Sequence, residues 1–158
     1  MRIGLIAKVI ALLTVCSAYG ATYYVATATS TPPGSDTNAG TAGAPFLTIS
    51  NALAHADPAG GDIIRVGDGL YEITEQLSVS VPVTIQSVNG RDKTEVRRVN
   101  VLTTTDTDVE RCLYLNHPSA VVDGLTFSGG RIYHGSGSEI PDCMGAGVLI
   151  GTEGGTLQ

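Results

Sequence analysis

The chain has 158 residues, a formal net charge of −6 and only nine lysine and arginine residues. This acidic balance leaves no basic stripe to engage phosphates and argues against nucleic acid as a partner. Twenty glycines, two phenylalanines and no tryptophan, with many Thr, Ser and Val residues, indicate an all-β chain of short strands. The length allows one domain with a hydrophobic core.

Residues 1–20 have the layout of a secretory signal peptide. Arg2 and Lys8 precede the apolar run from Val9 to Val15, and small residues then lead to a predicted cut before Ala21. The run is too short to span a bilayer as an anchor, which needs roughly 20 apolar residues. We expect no membrane span after the signal peptide is removed. The sequence therefore predicts an exported protein, secreted or at the cell surface. An N-terminal strand or buried helix and a lipoprotein cut before Cys16 are the alternatives.

Residues 21–61 are predicted to contain a strand, a polar surface loop and one short helix. The strand opens the segment as TYYVA, and a loop rich in Gly, Pro, Thr and Asp follows it. The helix is predicted over residues 48–57, with Thr48 as its N-cap and Pro58 and Gly60 ending it. Its apolar positions form one narrow stripe at i, i+3, i+4 and i+7: Ile49, Ala52, Leu53 and Ala56.

Residues 62–158 contain only short apolar runs bounded by Gly, Asn, Asp or Ser. Hairpin signals are scarce, since Asn89-Gly90 is the single Asn-Gly pair. A coil of parallel strands explains the pattern better, because each strand then pairs with the strand one turn later. Successive turns of about 20 residues, two of them lengthened by loops, are predicted to start at Ile63, Val83, Cys112 and Val148.

A sharp corner between two strands is predicted at residues 67–69, Gly-Asp-Gly. Glycine permits the backbone dihedral angles that such a bend requires. We expect Ile64 and Val66 to point inward before the corner and Leu70 to point inward after it.

A longer pattern covers residues 22–72. It consists of Tyr23-Tyr24-Val25, then Gly34-Ser35-Asp36-x-Asn38-x-Gly40-Thr41, then Pro45-Phe46-x-Thr48-Ile49-x-x-Ala52-Leu53-x-x-Ala56, and finally Gly61-Asp62-x-Ile64-x-Val66-x-x-Gly69-x-Tyr71. On these residues the chain resembles secreted right-handed parallel β-helix proteins of the pectate-lyase-like superfamily. The opening motif is similar to that of family 9 polysaccharide lyases and related bacterial surface proteins.

The resemblance implies a fold: an all-β, single-stranded right-handed parallel β-helix, or solenoid, with a short N-terminal capping helix. Residues 21–61 would then hold the strand, loop and capping helix, and residues 62–158 the first coils. The loop before Gly34 is longer than usual in the family, and Asp68 stands where the family often has proline. Because the chain stops at Gln158 inside what reads as a fresh strand, we expect an N-terminal portion that is truncated at its C-terminus, or a gene product that ends early.

The resemblance also implies a link to polysaccharide binding or cleavage, with an acidic polysaccharide as partner and a monomer as the state. The chemistry of such lyases is β-elimination on a uronic acid, which needs a cation beside the carboxylate and a base. In the family these groups lie on coils downstream of the opening motif. We therefore assign no catalytic, substrate-binding or metal-ligating residue and expect calcium only in the full-length family member. The alternative is a non-catalytic cell-surface or adhesion module.

Lys93 stands among arginines in the stretch NGRDKTEVRR, together with Arg91, Arg97 and Arg98. One interpretation is a cationic patch for an acidic glycan. The other, which the sequence favours, is a solvated loop and strand face.

Asp36 and Asp123 each allow two interpretations. Asp36, Asn38 and Gly40 hint at a calcium loop, but Asx turns that stabilise a surface loop explain them more simply. Asp123 could project from a face of the coil, although a turn-forming Asp-Gly pair at a corner is the favoured interpretation.

The remaining candidate side chains are histidines and cysteines. The three histidines are His55, His117 and His134. They are scattered along the sequence, and their spacing indicates no catalytic arrangement with Ser and Asp. Export makes a disulfide between Cys112 and Cys143 possible, and two separate buried thiols are the alternative.

Overall fold

The computed structural model describes residues 20–99, 109–132 and 147–158, so the predicted signal peptide lies outside the described residues except for Gly20. The described residues form one helix and short strands. In chain order these are β1 (Thr22–Val25), α1 (Ile49–His55), β2 (Asp62–Val66), β3 (Gly69–Ile73), β4 (Leu77–Val79), β5 (Val83–Ser87), β6 (Thr94–Arg98), β7 (Val109–Glu110), β8 (Leu113–Leu115), β9 (Val121–Asp123), β10 (Thr126–Ser128), β11 (Arg131–Ile132), β12 (Val148–Ile150) and β13 (Thr156–Leu157).

The strands are arranged in three parallel sheets. The first sheet has the order β1-β2-β5-β9-β13, the second β3-β6-β10 and the third β4-β8-β12. From β2 onward the chain passes through the first, second and third sheets in a repeating order, while β7 and β11 form a separate antiparallel pair. The predicted all-β class, with parallel pairing and one short helix, is confirmed for the described residues.

The predicted turn starts are right for two positions and wrong for two. Ile63 and Val83 lie in β2 and β5, which are neighbours in the first sheet. The next strand of that sheet starts at Val121, whereas Cys112 and Val148 belong to the region of the third sheet. The apolar runs of all three sheets look alike, so the spacing of runs does not reveal the sheet to which each one belongs.

The core lies between the sheets and is built by alternation along each strand. Ile64 and Val66 are fully buried, as predicted, but Leu70 is 39% exposed and Tyr71 only 6%. The prediction for Leu70 is therefore wrong. Because Gly69 has a φ of +138° and begins β3, the alternation restarts after the corner with Tyr71 on the inner side.

A chain of buried polar groups crosses the corner between the first and second sheets. The Tyr71 hydroxyl donates to the carbonyl oxygen of Gly67 over 2.9 Å, and the Thr94 hydroxyl donates to the same oxygen over 3.3 Å. The hydroxyls of Thr94 and Ser87 lie 2.7 Å apart. These bonds satisfy the corner backbone and tie one corner to the next.

The predicted helix is confirmed as α1, capped by the Thr48 side chain, which accepts a hydrogen bond from the Asn51 amide. Its apolar stripe packs against the core cluster, with Ile49 and Ala52 buried. The preceding loop runs along the outer edge of β1, where the Phe46 amide donates to the Tyr24 carbonyl oxygen over 2.8 Å. Loop and helix thus cover a strand edge that would otherwise be open to pairing.

Candidate ligand-binding face

Four polar side chains stand in one row on the outer surface of the first sheet. The strand register places Tyr24 beside Arg65, Arg65 beside Gln86, and Gln86 beside Asp123. Each alternates with a buried neighbour on its own strand, so all four lie on the side away from the core. We call these four residues the outer column.

The outer column combines an aromatic ring with hydrogen-bonding groups. Neighbouring strands lie about 4.8 Å apart, so the column extends on the order of 14 Å across the strands. All four side chains are half-buried, and the Gln86 side-chain amide donates to Asp123 Oδ2 over 3.1 Å. Arg65 offers a planar, charged donor group that suits a carboxylate. Such a row can bind an extended polar molecule.

Asp123 shows features of both interpretations offered by the sequence. It is the last residue of β9, and its carboxylate lies in the outer column. The turn itself is made by Gly124, whose φ is +67°. Sequence reasoning did not find Tyr24, Arg65 and Gln86, because only the register between distant strands brings them together.

The predicted cationic stretch does not form one patch. Arg91 and Lys93 are exposed in the turn before β6 and line a shallow depression together with the acidic Asp92 and Glu95. Arg97 and Arg98 are consecutive residues of β6, and consecutive strand residues point to opposite faces. The favoured interpretation, a solvated loop and strand face, agrees with the positions of Arg91, Lys93 and Arg97.

Arg98 instead has two guanidinium nitrogens, Nε and Nη1, buried without a hydrogen-bond partner among the described residues. On the outer side of the same strand, Arg97 Nε lies 3.3 Å from Glu95 Oε1. Glu95 also accepts a hydrogen bond from the Ser128 hydroxyl over 2.5 Å. The bond from Ser128, followed by that from Arg97, lowers the pKa of the Glu95 carboxyl.

The residues of the possible calcium loop are engaged in holding the helix start. Asp36 Oδ1 accepts from the amides of Leu47 and Thr48, each over 2.9 Å, and Oδ2 accepts from the Thr48 hydroxyl over 2.9 Å. The Asn38 side-chain amide donates to the Pro45 carbonyl oxygen over 2.8 Å. These contacts support the loop-stabilising interpretation, although they reach further along the chain than an Asx turn does.

The described histidines also have structural contacts. His55 Nδ1 lies 2.8 Å from the Asn51 carbonyl oxygen, and its ring centroid lies 4.8 Å from that of Phe46. His117 Nδ1 accepts a hydrogen bond from the Ser119 amide over 3.2 Å. His134 lies outside the described residues.

Cys112 is a buried free thiol whose Sγ lies 3.1 Å from the Ser128 carbonyl oxygen. Burial raises the pKa of this thiol, an effect that neighbouring backbone amides and the charge of Arg98 partly offset. The structure therefore agrees with a separate buried thiol at Cys112. Cys143, the other half of the possible disulfide, lies outside the described residues.

A groove of about 390 Å³ separates the loop and helix from β3. Its lining includes the exposed apolar side chains of Leu47 and Leu70 and the carboxylates of Glu72 and Glu75. Within the described part of the chain, no three His, Cys, Asp or Glu side chains are grouped so that they could hold a metal ion. The seven-residue α1 is too short to cross a bilayer, and the same part of the chain has no other helix that could.

Residues 33–94 match the model of a family described as "Protein of unknown function (DUF1565)". This family is associated with right-handed β-helix proteins. The matched residues contain most of the polar loop, α1 and strands β2 to β5. No curated protein and no solved structure matches the chain. The findings support the β-helix part of the resemblance, while the pectate-lyase-like superfamily and the link to polysaccharide stay predictions.

Proposed function

We propose that the chain forms the capped start of a right-handed parallel β-helix in an exported, pectate-lyase-like protein, and that its outer column binds an acidic polysaccharide. The repeating order of the three parallel sheets supports a solenoid. Connections between parallel strands of one sheet are right-handed in nearly all proteins, which supports the handedness. The family match at residues 33–94 agrees with both.

The outer column is the observation on which the binding proposal rests. The ring of Tyr24 provides an apolar face with a polar tip, which suits the face of a sugar ring. Arg65 provides a paired donor group for the carboxylate of a uronic acid. Gln86 and Asp123 provide donors and acceptors for hydroxyl groups. Because the four residues come from four successive strands of one sheet, the bound polymer would run across the strands.

The proposal for this chain is binding and not cleavage. β-Elimination requires a base beside a carboxylate whose charge is neutralised. In the outer column, Arg65 is the one cationic side chain and is used to bind the carboxylate. The single lysine of residues 21–158, Lys93, lies in the turn before β6 and not in the first sheet, so it is not placed to act as the base there. Cleavage is assigned to the wider family through the resemblance alone.

The test is calorimetric titration of the purified exported protein with polygalacturonate and with alginate. Removing the charge in Arg65→Gln should weaken binding by about tenfold to a hundredfold, because hydrogen bonds to charged groups contribute about 1.5–3 kcal/mol and about 1.4 kcal/mol is a factor of ten. Arg91→Gln removes an exposed arginine elsewhere and should leave the affinity unchanged. Equal losses in both variants, or no binding by the unmodified protein, would contradict the proposal.

The same preparation tests the absence of cleavage. Incubation with either polymer should release no unsaturated uronides, which are detected by their ultraviolet absorbance. Their release, and its loss in a Lys93→Ala variant, would show that this chain carries a lyase site and would replace the binding proposal.

A second candidate is a surface module that binds no glycan, and one set of contacts favours it. Polar groups of successive turns of the chain bond to one another: Asn89 Nδ2 donates to Asp68 Oδ1 over 2.9 Å, and the Thr126 hydroxyl donates to the backbone carbonyl oxygen of Arg91 over 2.8 Å. These polar groups hold the strands in register without a ligand. Under this reading the titrations show no binding to either polymer.

A further inference from the structure

We propose that Gly20–Ala21 is the processing site of this chain and that the α-ammonium group created at Ala21 forms an ion pair with the buried carboxylate of Asp62. The proposal rests on the export part of the proposed function and is independent of any polysaccharide. It concerns a site at the start of β1, where the chain first joins the first sheet.

The geometry around Ala21 already contains the acceptor. The backbone nitrogen of Ala21 donates to Asp62 Oδ1 over 2.6 Å, and the Ile63 amide donates to the Ala21 carbonyl oxygen over 2.9 Å. Ala21 itself is exposed, so the peptide bond before it lies at the surface. The nitrogen is thus held at the edge of the fold, beside a carboxylate.

The carboxylate of Asp62 is unusual because it is buried. Asp62 is 3% exposed and begins β2, and its second oxygen accepts from the Asp57 amide over 2.7 Å. Both of its hydrogen bonds therefore come from neutral backbone amides, and no cationic side chain of the described residues forms an ion pair with it. A buried carboxylate is more stable when a positive charge faces it.

Processing would supply that charge. A signal endopeptidase hydrolyses the Gly20–Ala21 bond with one water molecule: the oxygen joins the carbonyl carbon of Gly20, and a hydrogen joins the nitrogen of Ala21. The resulting amine takes a proton from solvent near neutral pH. One of its three N–H groups can keep the existing direction toward Asp62, and the others face solvent because Ala21 is exposed.

The pairing would tie maturation to the stability of the first strand. Before the cut, the Asp62 carboxylate accepts a hydrogen bond from a neutral amide; after the cut, the donor itself carries a positive charge, so an attraction between two opposite charges is added to the bond. Asp62 also contacts the segment after α1 through the Asp57 amide. The mature N-terminus would therefore hold β1, β2 and the end of the helix together.

The first experiment expresses the full chain with its own leader in an exporting bacterial host and determines the N-terminus of the exported protein by mass spectrometry. The expected N-terminal residue is Ala21. An N-terminus at any other residue, or an uncut chain, would overturn the proposal. This result is independent of polysaccharide titrations, so a failure of the binding proposal leaves it unaffected.

The second experiment measures acylation of the α-amine in that protein at neutral pH. Lys93 is the single lysine of residues 21–158 and is exposed, so it serves as an internal reference. A facing opposite charge typically moves the pKa of a group by one to three units toward its charged form. The ratio of acylation at Ala21 to that at Lys93 should therefore be about tenfold lower in the folded protein than in urea.

Two variants test whether the Asp62 carboxylate is the group that slows acylation of the α-amine. Asp62→Asn should raise the native ratio toward the value in urea. Asp57→Asn is the matched control, because the Asp57 carboxylate accepts from the Ala59 amide and not from Ala21; it should leave the ratio unchanged. If Asp62→Asn does not fold, the comparison of folded and urea-treated unmodified protein decides. Equal ratios in those two states would overturn the ion pair.

Discussion

Replacing Tyr71 by Phe removes one hydroxyl group from the buried corner between the first and second sheets. This hydroxyl donates to the Gly67 carbonyl oxygen over 2.9 Å and lies 3.4 Å from that of Val25. Thr94 still donates to Gly67 in the variant, so the carbonyl group keeps a partner. The expected loss at pH 7 is that of one hydrogen bond, about 1 kcal/mol of unfolding free energy.

The effect of the same substitution should change with pH. Burial, assisted by the charge of Asp68, raises the pKa of Tyr71 to about 12, whereas an unfolded tyrosine titrates near 10. The folded state therefore favours the neutral phenol, and its contribution is complete below about pH 10. As pH rises further, the unfolded chain releases its proton first, and the folded protein loses stability.

The two effects oppose each other in a measurable way. By pH 11 the retained proton costs the unmodified protein about 1 kcal/mol, which the Phe variant does not lose. We expect the variant to be less stable than the unmodified protein at pH 7 and about equally stable near pH 11. Urea unfolding followed by far-ultraviolet circular dichroism gives both differences.

Tyr114→Phe is the matched control, because it removes the hydroxyl group of a half-buried tyrosine on β8. It separates the effect of the raised pKa of Tyr71 from the general effect of alkali on stability. The same difference between the unmodified protein and the Tyr71 variant at pH 7 and pH 11 would refute the reasoning about the buried phenol.

Three further predictions concern the core, the corner and the loop. Ile64→Ala should cost about 3 kcal/mol, because the side chain is fully buried, while the outer Ile63→Ala should cost less than about 1 kcal/mol; equal losses in urea unfolding would contradict the assigned faces. Gly69→Ala should lower the melting temperature, because φ is +138° and the new Cβ would lie 2.5 Å from a threonine methyl group. Gly43→Ala is the control and should leave the melting temperature unchanged, because its new Cβ would meet no atom within 4 Å. Asp36→Ala should cost about 1 kcal/mol and speed hydrogen exchange of the amides that the carboxylate holds; unchanged exchange would argue against its role at the helix start.

Local features of the fold could be predicted because they depend on neighbouring residues. The N-cap at Thr48 and the apolar stripe of α1 follow from short-range spacing, and both are found in the structure. The parallel arrangement could also be inferred, since hairpin signals are scarce and the apolar runs recur. The inward positions of Ile64 and Val66 follow from strand alternation before the corner.

The errors arise where the backbone conformation between runs decides the outcome. The φ of Gly69 sets which residue of β3 faces inward, and the sequence does not reveal this angle. Likewise, similar apolar runs in three sheets made Cys112 look like the start of a turn of the first sheet. The strand of the first sheet that follows β5 is β9, and it starts at Val121.

The candidate site depends on register between distant strands, and short-range patterns do not contain this information. Tyr24 and Arg65 become neighbours through the β1–β2 pairing, and Gln86 and Asp123 through the β5–β9 pairing. The hydrogen bond from the Ala21 backbone nitrogen to Asp62 depends on distant residues in the same way, through the pairing of β1 with β2. Polar residues at outward strand positions gave only a weak signal, because most such residues are simply solvated.

The most direct test of the account is the parallel register of β5 and β9, because the outer column exists only in that register. Thr84 and Val121 are register partners on the outer surface, so the pair Thr84→Cys and Val121→Cys should form a disulfide under mild oxidation, identified by peptide mapping. Ile63→Cys with Val121→Cys is the control, because β5 separates these residues and about 9.6 Å exceeds the reach of a disulfide. Cross-linking of the first pair alone would support the stacked parallel strands. Equal cross-linking of both pairs, or none at residues 84 and 121, would contradict them.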